Sequence, residues 1–525
     1  MVHMAFKLTY STMFDPPEEM HTRFESALGE VRAALGGTHP MHVGGADVAA
    51  AKTYEKRSPA DRRCVLGRFP LGEAADVERA VTAAKGAYPG WRATAPAERA
   101  RLSRRVSALL EERVYAIGAT LALEVGKNRM ESLGETQETA DFFSTYAAEY
   151  ERNGYYDHAL PDDPLPGWRS HNRSVLKPYG VWAVITPFNF PLALAGGPVA
   201  AALLTGNTVV LKGATDTPWA GRLLADCIRD AGFPPGVFNY VTGRGSVVGE
   251  ALTSHPDLAG LTFTGSYDVG MSLYRKMATG AHPRPCVTEM GGKNACVVTA
   301  RGDLERAATG IVRSAFGLTG QKCSALSRVY VEKAVADALV DKLRDMTRAI
   351  RVGDPCVREN WMGPLINEAA AEAYAGYCQR LQRDGGRILV GGCRLTEGDL
   401  AHGHFVAPTL AEAPPEHPLF REEMFQPILM LSRVRDVREG VARANDSALG
   451  LTAGCYGSED EVRYFLDTIE AGVTYVNRPQ GATTGAWPGY QPFGGWKGSG
   501  STGKAIGSVY YLPLYLREQS QTVVE

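Results

Sequence analysis

Gly180-Val181-Trp182-Ala183-Val184-Ile185-Thr186 is the stretch that decides the fold. Val181, Ala183 and Ile185 share one side at the period of two that marks a strand. After the turn Pro187-Phe188-Asn189-Phe190-Pro191 comes an apolar run, Ala193–Leu204, long enough for a helix. Thr208-Val209-Val210-Leu211-Lys212 then reads as a second strand. The alternation continues outward. Ala220–Ala231 is predicted helical, ending near Gly232 with Pro234 and Pro235 beyond it. Val237–Thr242 is a strand, Ser246–Thr253 a helix and Leu261–Thr264 a strand. Strands alternating with helices at this spacing imply a parallel sheet wound with helices, joined by right-handed crossovers.

Upstream, residues 74–150 read as helices, with Leu102, Val106, Leu109, Leu110, Ile117 and Leu121 on an apolar face. Residues 1–50 look irregular apart from a helix around Thr22–Leu35. Gly154–Arg173 reads as loop, broken by Pro161, Pro164, Pro166 and Gly167. Downstream, a second strand-and-helix alternation runs from about Thr288 to Ala471. It includes a strand at Cys323–Val331, a helix at Val335–Ile350 and the segment Val441–Asn445. Tyr510–Val524 alternates like a strand, and an exposed terminal edge is a pairing liability unless something covers it. The expectation is two α/β units with a cleft between them. Residues 1–154 with 179–287 form a Rossmann-type dinucleotide-binding domain, and 288–500 a catalytic domain. Residues 155–178 with 505–525 form a small β element.

The composition limits the function. A chain of 525 residues exceeds one simple core. Its 44% hydrophobic and 22% charged content is that of a globular protein. A net charge of −2 gives no electrostatic case for nucleic acid or an anionic membrane. The cysteines, nine in all and scattered without a C-x-x-C pair, argue against a disulfide framework or a zinc ribbon and for a reducing compartment. No His/Cys/Asp cluster has metal-ligand spacing, so no metal is expected. Met1–Glu19 lacks a signal-type apolar core. Leu192–Leu204 is too short to span a bilayer and contains Gly196, Gly197 and Pro198. A cytoplasmic protein is expected.

Three segments carry chemistry. Cys323 lies in Gly320-Gln321-Lys322-Cys323-Ser324-Ala325, where Lys322 and nearby backbone N–H groups could stabilise a thiolate. Glu289 lies in Thr288-Glu289-Met290-Gly291-Gly292-Lys293, and Asn189 between Pro187 and Pro191. A nucleophile, a carboxylate and an amide, each in a Gly- or Pro-shaped turn, suggest an active site dispersed along the chain. A thiolate attacking a carbonyl carbon gives an oxyanion, for which the Asn189 amide and the Cys323 backbone N–H are natural donors. Glu289 is the candidate base to activate a water. No clean G-x-G-x-x-G exists. Gly243, Gly245 and Gly249 open one helix, however, and Phe263-Thr264-Gly265-Ser266 precedes another. Both expose helix N-terminal N–H groups suited to phosphate.

Together these segments resemble the aldehyde dehydrogenase superfamily from about Arg57 to the C-terminus, in order and in spacing. The resemblance implies that Lys212 binds a ribose, and that Glu423 and Phe425 hold the nicotinamide ribose in a Glu-x-Phe motif. It adds Thr186, Pro187, Phe188 and Gly291 to the cofactor contacts. Gln426 departs from the glycine usual after that phenylalanine. Thr215 stands where NAD-specific members usually place a glutamate. The missing charge implies NAD as cofactor with NADP tolerated. Retention of Glu289 favours release of a free acid over acyl transfer to coenzyme A. The resemblance also implies that the C-terminal tail pairs with a segment like 155–178 and joins subunits into a homo-oligomer, a dimer or higher.

Gly485-Ala486-Trp487-Pro488-Gly489-Tyr490-Gln491-Pro492-Phe493 resembles the loop by which 1-pyrroline-5-carboxylate dehydrogenases anchor a carboxylate. By that resemblance, N–H groups at Gly485 and Ala486 bind the α-carboxylate of glutamate 5-semialdehyde, with Ser324 donating and Phe493 packing on the chain. Trp487, Pro488 and Trp496 depart from the pattern and could reshape the pocket. Two other readings stay open. One is a hydrolytic aldehyde dehydrogenase for another semialdehyde or an aromatic aldehyde. The other is a catalytically silent binding or structural protein on the same fold.

Overall fold

The computed structural model describes residues 6–525. The two α/β layers form around two seven-stranded sheets. The first runs, in spatial order, Cys286–Glu289, Leu258–Thr264, Val181–Ile185, Thr208–Lys212, Phe238–Val241, Met41–Val43 and Ala46–Val48. The five strands after residue 180 are parallel, and the two N-terminal ones add antiparallel. Val181–Ile185 lies between strands that follow it in opposite directions along the sheet. The switch of direction therefore falls between it and Leu258–Thr264. In open α/β sheets, ligands bind at the carboxyl ends of strands at such a switch.

The second sheet runs Arg387–Val390, Thr409–Glu412, Ile428–Val434, Leu326–Glu332, Asn294–Val298, Thr452–Tyr456 and Val473–Val476. All its neighbours are parallel except the first pair. Cys286–Glu289 crosses the expected boundary at 287, so Thr288 and Glu289 still belong to the first sheet.

Several expectations need correction. The N-terminal fifty residues are not irregular. A helix spans Glu18–Ala33, earlier than expected, and short strands follow at Gly37–Thr38, Met41–Val43 and Ala46–Val48. Residues 1–5 of the segment read as lacking a signal sequence lie outside the described residues. Gly154–Arg173 is only partly loop: Asp157–Leu160 and Ser170–Pro178 are strands, and Leu516–Val524 pairs antiparallel along the whole of the latter. Proline in the intervening 161–166 breaks the ladder without erasing the strands on either side. The strand expected at Cys323 begins only at Leu326, because Leu318, Thr319 and Gly320 all adopt positive φ and turn the chain first.

Buried carboxylates set the helices against the first sheet. Helix Val114–Val125 contributes Glu124, which accepts from the N–H groups of Trp219 and Ala220 at 2.6 and 3.0 Å. Those N–H groups open the helix Pro218–Asp230, where a helix terminus leaves donors without partners. Glu135, on helix Arg129–Arg152, does the same for Leu192 and Ala193 at 2.9 and 3.1 Å. It thereby fixes the start of helix Ala193–Leu204 just after Asn189. Its other oxygen lies 2.7 Å from Lys127, and both side chains are fully buried. Breaking one partner of such a pair typically costs about 3–5 kcal/mol.

Candidate active site

Cys323 stands where two cavities meet. The larger, about 890 Å³, opens at the carboxyl ends of the first sheet. Its walls include every residue expected to touch a dinucleotide: Thr186, Pro187, Phe188, Lys212, Thr215, Gly245, Gly249, Phe263, Thr264, Gly265, Ser266, Gly291, Glu423 and Phe425. Asn189 and Cys323 line it too. The smaller cavity, about 70 Å³, is walled by Cys323, Ser324, Gly485, Ala486 and Phe493, with Tyr10, Glu138, Phe190 and Arg313.

The nucleophile loop is held in a costly shape. Leu318 and Thr319 have φ of 47° and 55°, a region that costs a non-glycine residue roughly 1–2 kcal/mol. Tertiary bonds hold it there. Leu318 N–H donates to Glu131 at 3.2 Å, and the Thr319 hydroxyl to the Gly363 carbonyl at 2.9 Å. Asn294 donates to the carbonyls of Cys323 and Ala325 at 2.7 and 2.8 Å, bracketing the cysteine. The Asn189 amide donates one N–H to the Gln321 carbonyl at 2.9 Å. Since an amide nitrogen carries two hydrogens, a second donor remains.

Electrostatics at Cys323 differ from the expectation. Lys322 does not serve as the thiolate's cation, because Glu131 holds it at 2.8 Å. Burial first, then the carboxylates of Glu423 and Glu289, push the Cys323 thiol up to about 12; its own N–H and that of Ser324 oppose the rise. Glu289 is buried and lines neither cavity. The Gly495 N–H faces its carboxyl, one oxygen has no partner, and burial holds its pKa well above the usual carboxylate range. Glu423 accepts from Gly292 N–H at 2.8 Å, and burial raises its pKa too. A Cβ on Gly291 would lie 2.0 Å from Glu423, so only glycine allows this approach.

Gln426 is accommodated without displacing its neighbours from the cavity. Its amide donates to the Ala370 carbonyl at 3.0 Å, while Phe425, at φ 56°, meets Phe188 edge-on at 5.9 Å. Thr215 donates to the Gly243 carbonyl at 3.1 Å. Its lack of charge does not leave that wall neutral, because Asp216 lines the same cavity. Asp216 opposes the burial that lowers the Lys212 pKa to about 8. Trp496 is exposed and pairs in a two-residue strand away from the pocket. Trp487 is buried behind the anchor loop, its indole N–H donating to Asp141 at 2.7 Å.

The sequence model of the aldehyde dehydrogenase family matches residues 47–520, nearly the whole chain. The chain belongs to the aldehyde dehydrogenase family. It is 36% identical over 509 residues to a 1-pyrroline-5-carboxylate dehydrogenase of Geobacillus sp. (strain WCH70), with 96% of each chain covered. It is 37% identical over 508 residues to 1-pyrroline-5-carboxylate dehydrogenase 1 of Halalkalibacterium halodurans, again with 96% of each covered. Its fold superposes on a 1-pyrroline-5-carboxylate dehydrogenase from Thermus with bound NAD at a TM-score of 0.92, with 33% identity and full coverage of both chains.

Tyr10, Glu138, Phe190 and Arg313 are among the side chains of this aldehyde dehydrogenase's smaller cavity that escaped sequence reasoning. Tyr10 comes from the N-terminal segment and donates to Glu138 at 2.6 Å. Burial is the main reason the Glu138 pKa stands at about 8. Phe190 packs edge-on to Tyr10 at 6.2 Å and under Lys127, whose ammonium is 3.3 Å from its ring centre. Phe190 was within reach of the sequence, being adjacent to the Asn189 turn. Tyr10, Glu138 and Arg313 carry no local signal, since only tertiary folding brings them to Cys323. Among the described residues, no group of three or more His, Cys, Asp or Glu side chains gathers as metal ligands, and no helix is long and apolar enough to cross a membrane.

Proposed function

We propose that this aldehyde dehydrogenase oxidises L-glutamate 5-semialdehyde, the open form of 1-pyrroline-5-carboxylate, to L-glutamate with NAD, as the second step of proline catabolism. The observation that carries the reading is the placement of Cys323 on the shared wall of two unlike cavities. One is large, glycine-rich and set at the sheet's switch point; the other is small and combines Ser324, Gly485 and Ala486 with Glu138. The names of the similar proteins, and the NAD bound in the Thermus structure, support the same reading.

The large cavity suits a dinucleotide. Gly245, Gly265 and Ser266 sit where strand ends meet helix starts, which favours phosphate oxygens. Lys212 and Glu423 lie on walls where ribose hydroxyls would find a donor and an acceptor. NAD, when bound, supplies the hydride acceptor. Once the Cys323 thiol has lost its proton to water, the sulfur attacks the aldehyde carbon, forming an S–C bond and an oxyanion. The second Asn189 N–H and the Cys323 backbone N–H donate to that oxygen; losing one such donor typically costs on the order of a hundredfold in rate. Departure of hydride with its electron pair leaves a thioester on Cys323. Glu289 then takes a proton from water, the water oxygen adds to the thioester carbon, the C–S bond breaks and the carboxylic acid leaves. Because Glu289 is turned toward Gly495, this step requires its side chain to swing. Gly291 and Gly292 beside it supply the freedom.

Gly485, on the wall of the smaller cavity, has φ 112°, and a glycine turn of this kind can present peptide N–H groups to an anion. Glu138 on another wall is suited to an α-ammonium, whose charge would favour its ionised form. The reading includes a cytoplasmic setting, in keeping with nine free cysteines. It also includes a homo-oligomer built through the sheet of Asp157–Leu160, Ser170–Pro178 and Leu516–Val524, in which Leu516–Val524 is an edge strand. The division into residues 1–154 with 179–287, residues 288–500, and residues 155–178 with 505–525 belongs to the same proposal, with the strand Cys286–Glu289 as its seam. The test is steady-state oxidation, followed by NADH absorbance, of L-glutamate 5-semialdehyde beside pentanal. A kcat/KM for the semialdehyde at least tenfold higher is expected. Equal or better use of pentanal contradicts the reading.

A further inference from the structure

We infer that Arg313 is the counter-ion of the substrate's far carboxylate and so selects for charged semialdehydes; this rests on the glutamate semialdehyde reading. Arg313 sits in the last turn of helix Leu304–Phe316, ten positions before the nucleophile, and its side chain lines the smaller cavity together with Ser324, Gly485 and Ala486. It is half-buried, and no carboxylate among the described residues forms an ion pair with it. One of its five N–H donors reaches the Pro479 carbonyl at 3.2 Å, and the ring of Phe14 lies 3.7 Å from the guanidinium carbon. Of the other cations nearby, Lys322 pairs with Glu131 at 2.8 Å and Lys127 with Glu135 at 2.7 Å, while Arg478 donates to the Gly485 carbonyl at 3.3 Å. Burial lowers the Arg313 pKa with no neighbouring charge to offset it.

A guanidinium removed from water without an anion is costly, and an anion arriving beside it relieves that cost. Arg313 shares the smaller cavity's wall with the anchor loop. Helix and loop are tied there: Thr483 N–H donates to Ser314 at 3.0 Å, and the Thr483 hydroxyl donates to the Ser324 carbonyl at 2.8 Å. Backbone N–H groups at Gly485 and Ala486 supply direction, and Arg313 supplies net charge. With Glu138 on another wall, the cavity presents a cation and a carboxyl to the carboxylate and the ammonium that an α-amino acid carries on one carbon. An uncharged aldehyde gains nothing from either group.

The experiment uses the full-length enzyme with NAD and the variants Arg313→Gln and Arg313→Lys. Gln keeps a donor for the Pro479 carbonyl and removes the charge, and Lys keeps the charge. Kinetics are measured with L-glutamate 5-semialdehyde and with pentanal, together with inhibition of pentanal oxidation by L-glutamate and by glutarate. For Arg313→Gln, KM for the semialdehyde and the inhibition constants should rise at least tenfold, with pentanal kinetics within twofold of the parent. Arg313→Lys should recover part of the loss. Equal losses with both aldehydes mean that Arg313 only props the loop, and unchanged inhibition constants mean that no carboxylate meets it; either result overturns the inference. If the parent enzyme prefers pentanal, the proposed function fails. The inhibition constants still decide the role of Arg313 in that case.

Discussion

The Cys323 thiol at rest should be a poor nucleophile, and alkylation measures how poor. With the thiol pushed up to about 12, the thiolate fraction at pH 7 is about one in 10⁵. A free cysteine, with a pKa of about 8.5, has about one in thirty. The deficit of about 3.5 units is partly returned, because a more basic thiolate attacks faster by about 0.4–0.5 log units per pKa unit. The net expectation is iodoacetamide modification at pH 7 about a hundredfold slower than at an ordinary thiol. Cys393 is exposed and serves as the internal reference within the same molecule. Peptide-resolved mass spectrometry of timed samples gives both rates at once. The Cys323 rate should climb about tenfold per pH unit from 7 to 10 without levelling. In Glu423→Gln the carboxylate that opposes the thiolate is gone, so the thiol pKa falls and the pH 7 rate rises. A plateau below pH 8, or a Cys323 rate equal to that of Cys393 at pH 7, refutes the electrostatic reasoning.

Two further outcomes follow from charges elsewhere. Asp216→Asn removes the carboxylate beside Lys212. It should raise the ratio of kcat/KM with NADP to that with NAD by about tenfold, since a 2′-phosphate no longer meets a like charge; an unchanged ratio places the discriminating group elsewhere. Glu135→Gln leaves Lys127 buried without its anion and weakens the start of helix Ala193–Leu204, at a cost of about 3–5 kcal/mol. Its thermal midpoint should fall well below that of the parent at equal protein concentration, and Lys127→Met added to Glu135→Gln should recover most of the loss, because no buried charge is left unpaired and the amide oxygen still accepts from Leu192 and Ala193.

The strand ends around the large cavity were legible because each is written locally: an alternating apolar run closes on Lys212, on Thr264-Gly265-Ser266 or on Thr186-Pro187. The smaller cavity was half legible. Ser324, Gly485, Ala486 and Phe493 lie in loops whose composition stands out, and they line one space. Glu138 carries no signal of its own, since nothing near it in the chain foretells Tyr10. Lys322 was misread as the thiolate's cation for the same reason: Glu131, which neutralises it, is remote in sequence. The late start of the strand after Cys323 was illegible, because Leu318 and Thr319 are residue types that ordinarily avoid positive φ. The bonds from the Leu318 N–H to Glu131 and from the Thr319 hydroxyl to the Gly363 carbonyl hold that turn.

Trapping the acyl group on Glu289→Gln tests the central claim most directly. The variant is mixed with L-glutamate 5-semialdehyde and NAD, quenched in acid, digested and analysed by mass spectrometry. The account predicts a burst of NADH matching the number of active sites and one glutamyl group on the peptide containing Cys323. Steady turnover to L-glutamate without accumulation, or an adduct on any other cysteine, contradicts it.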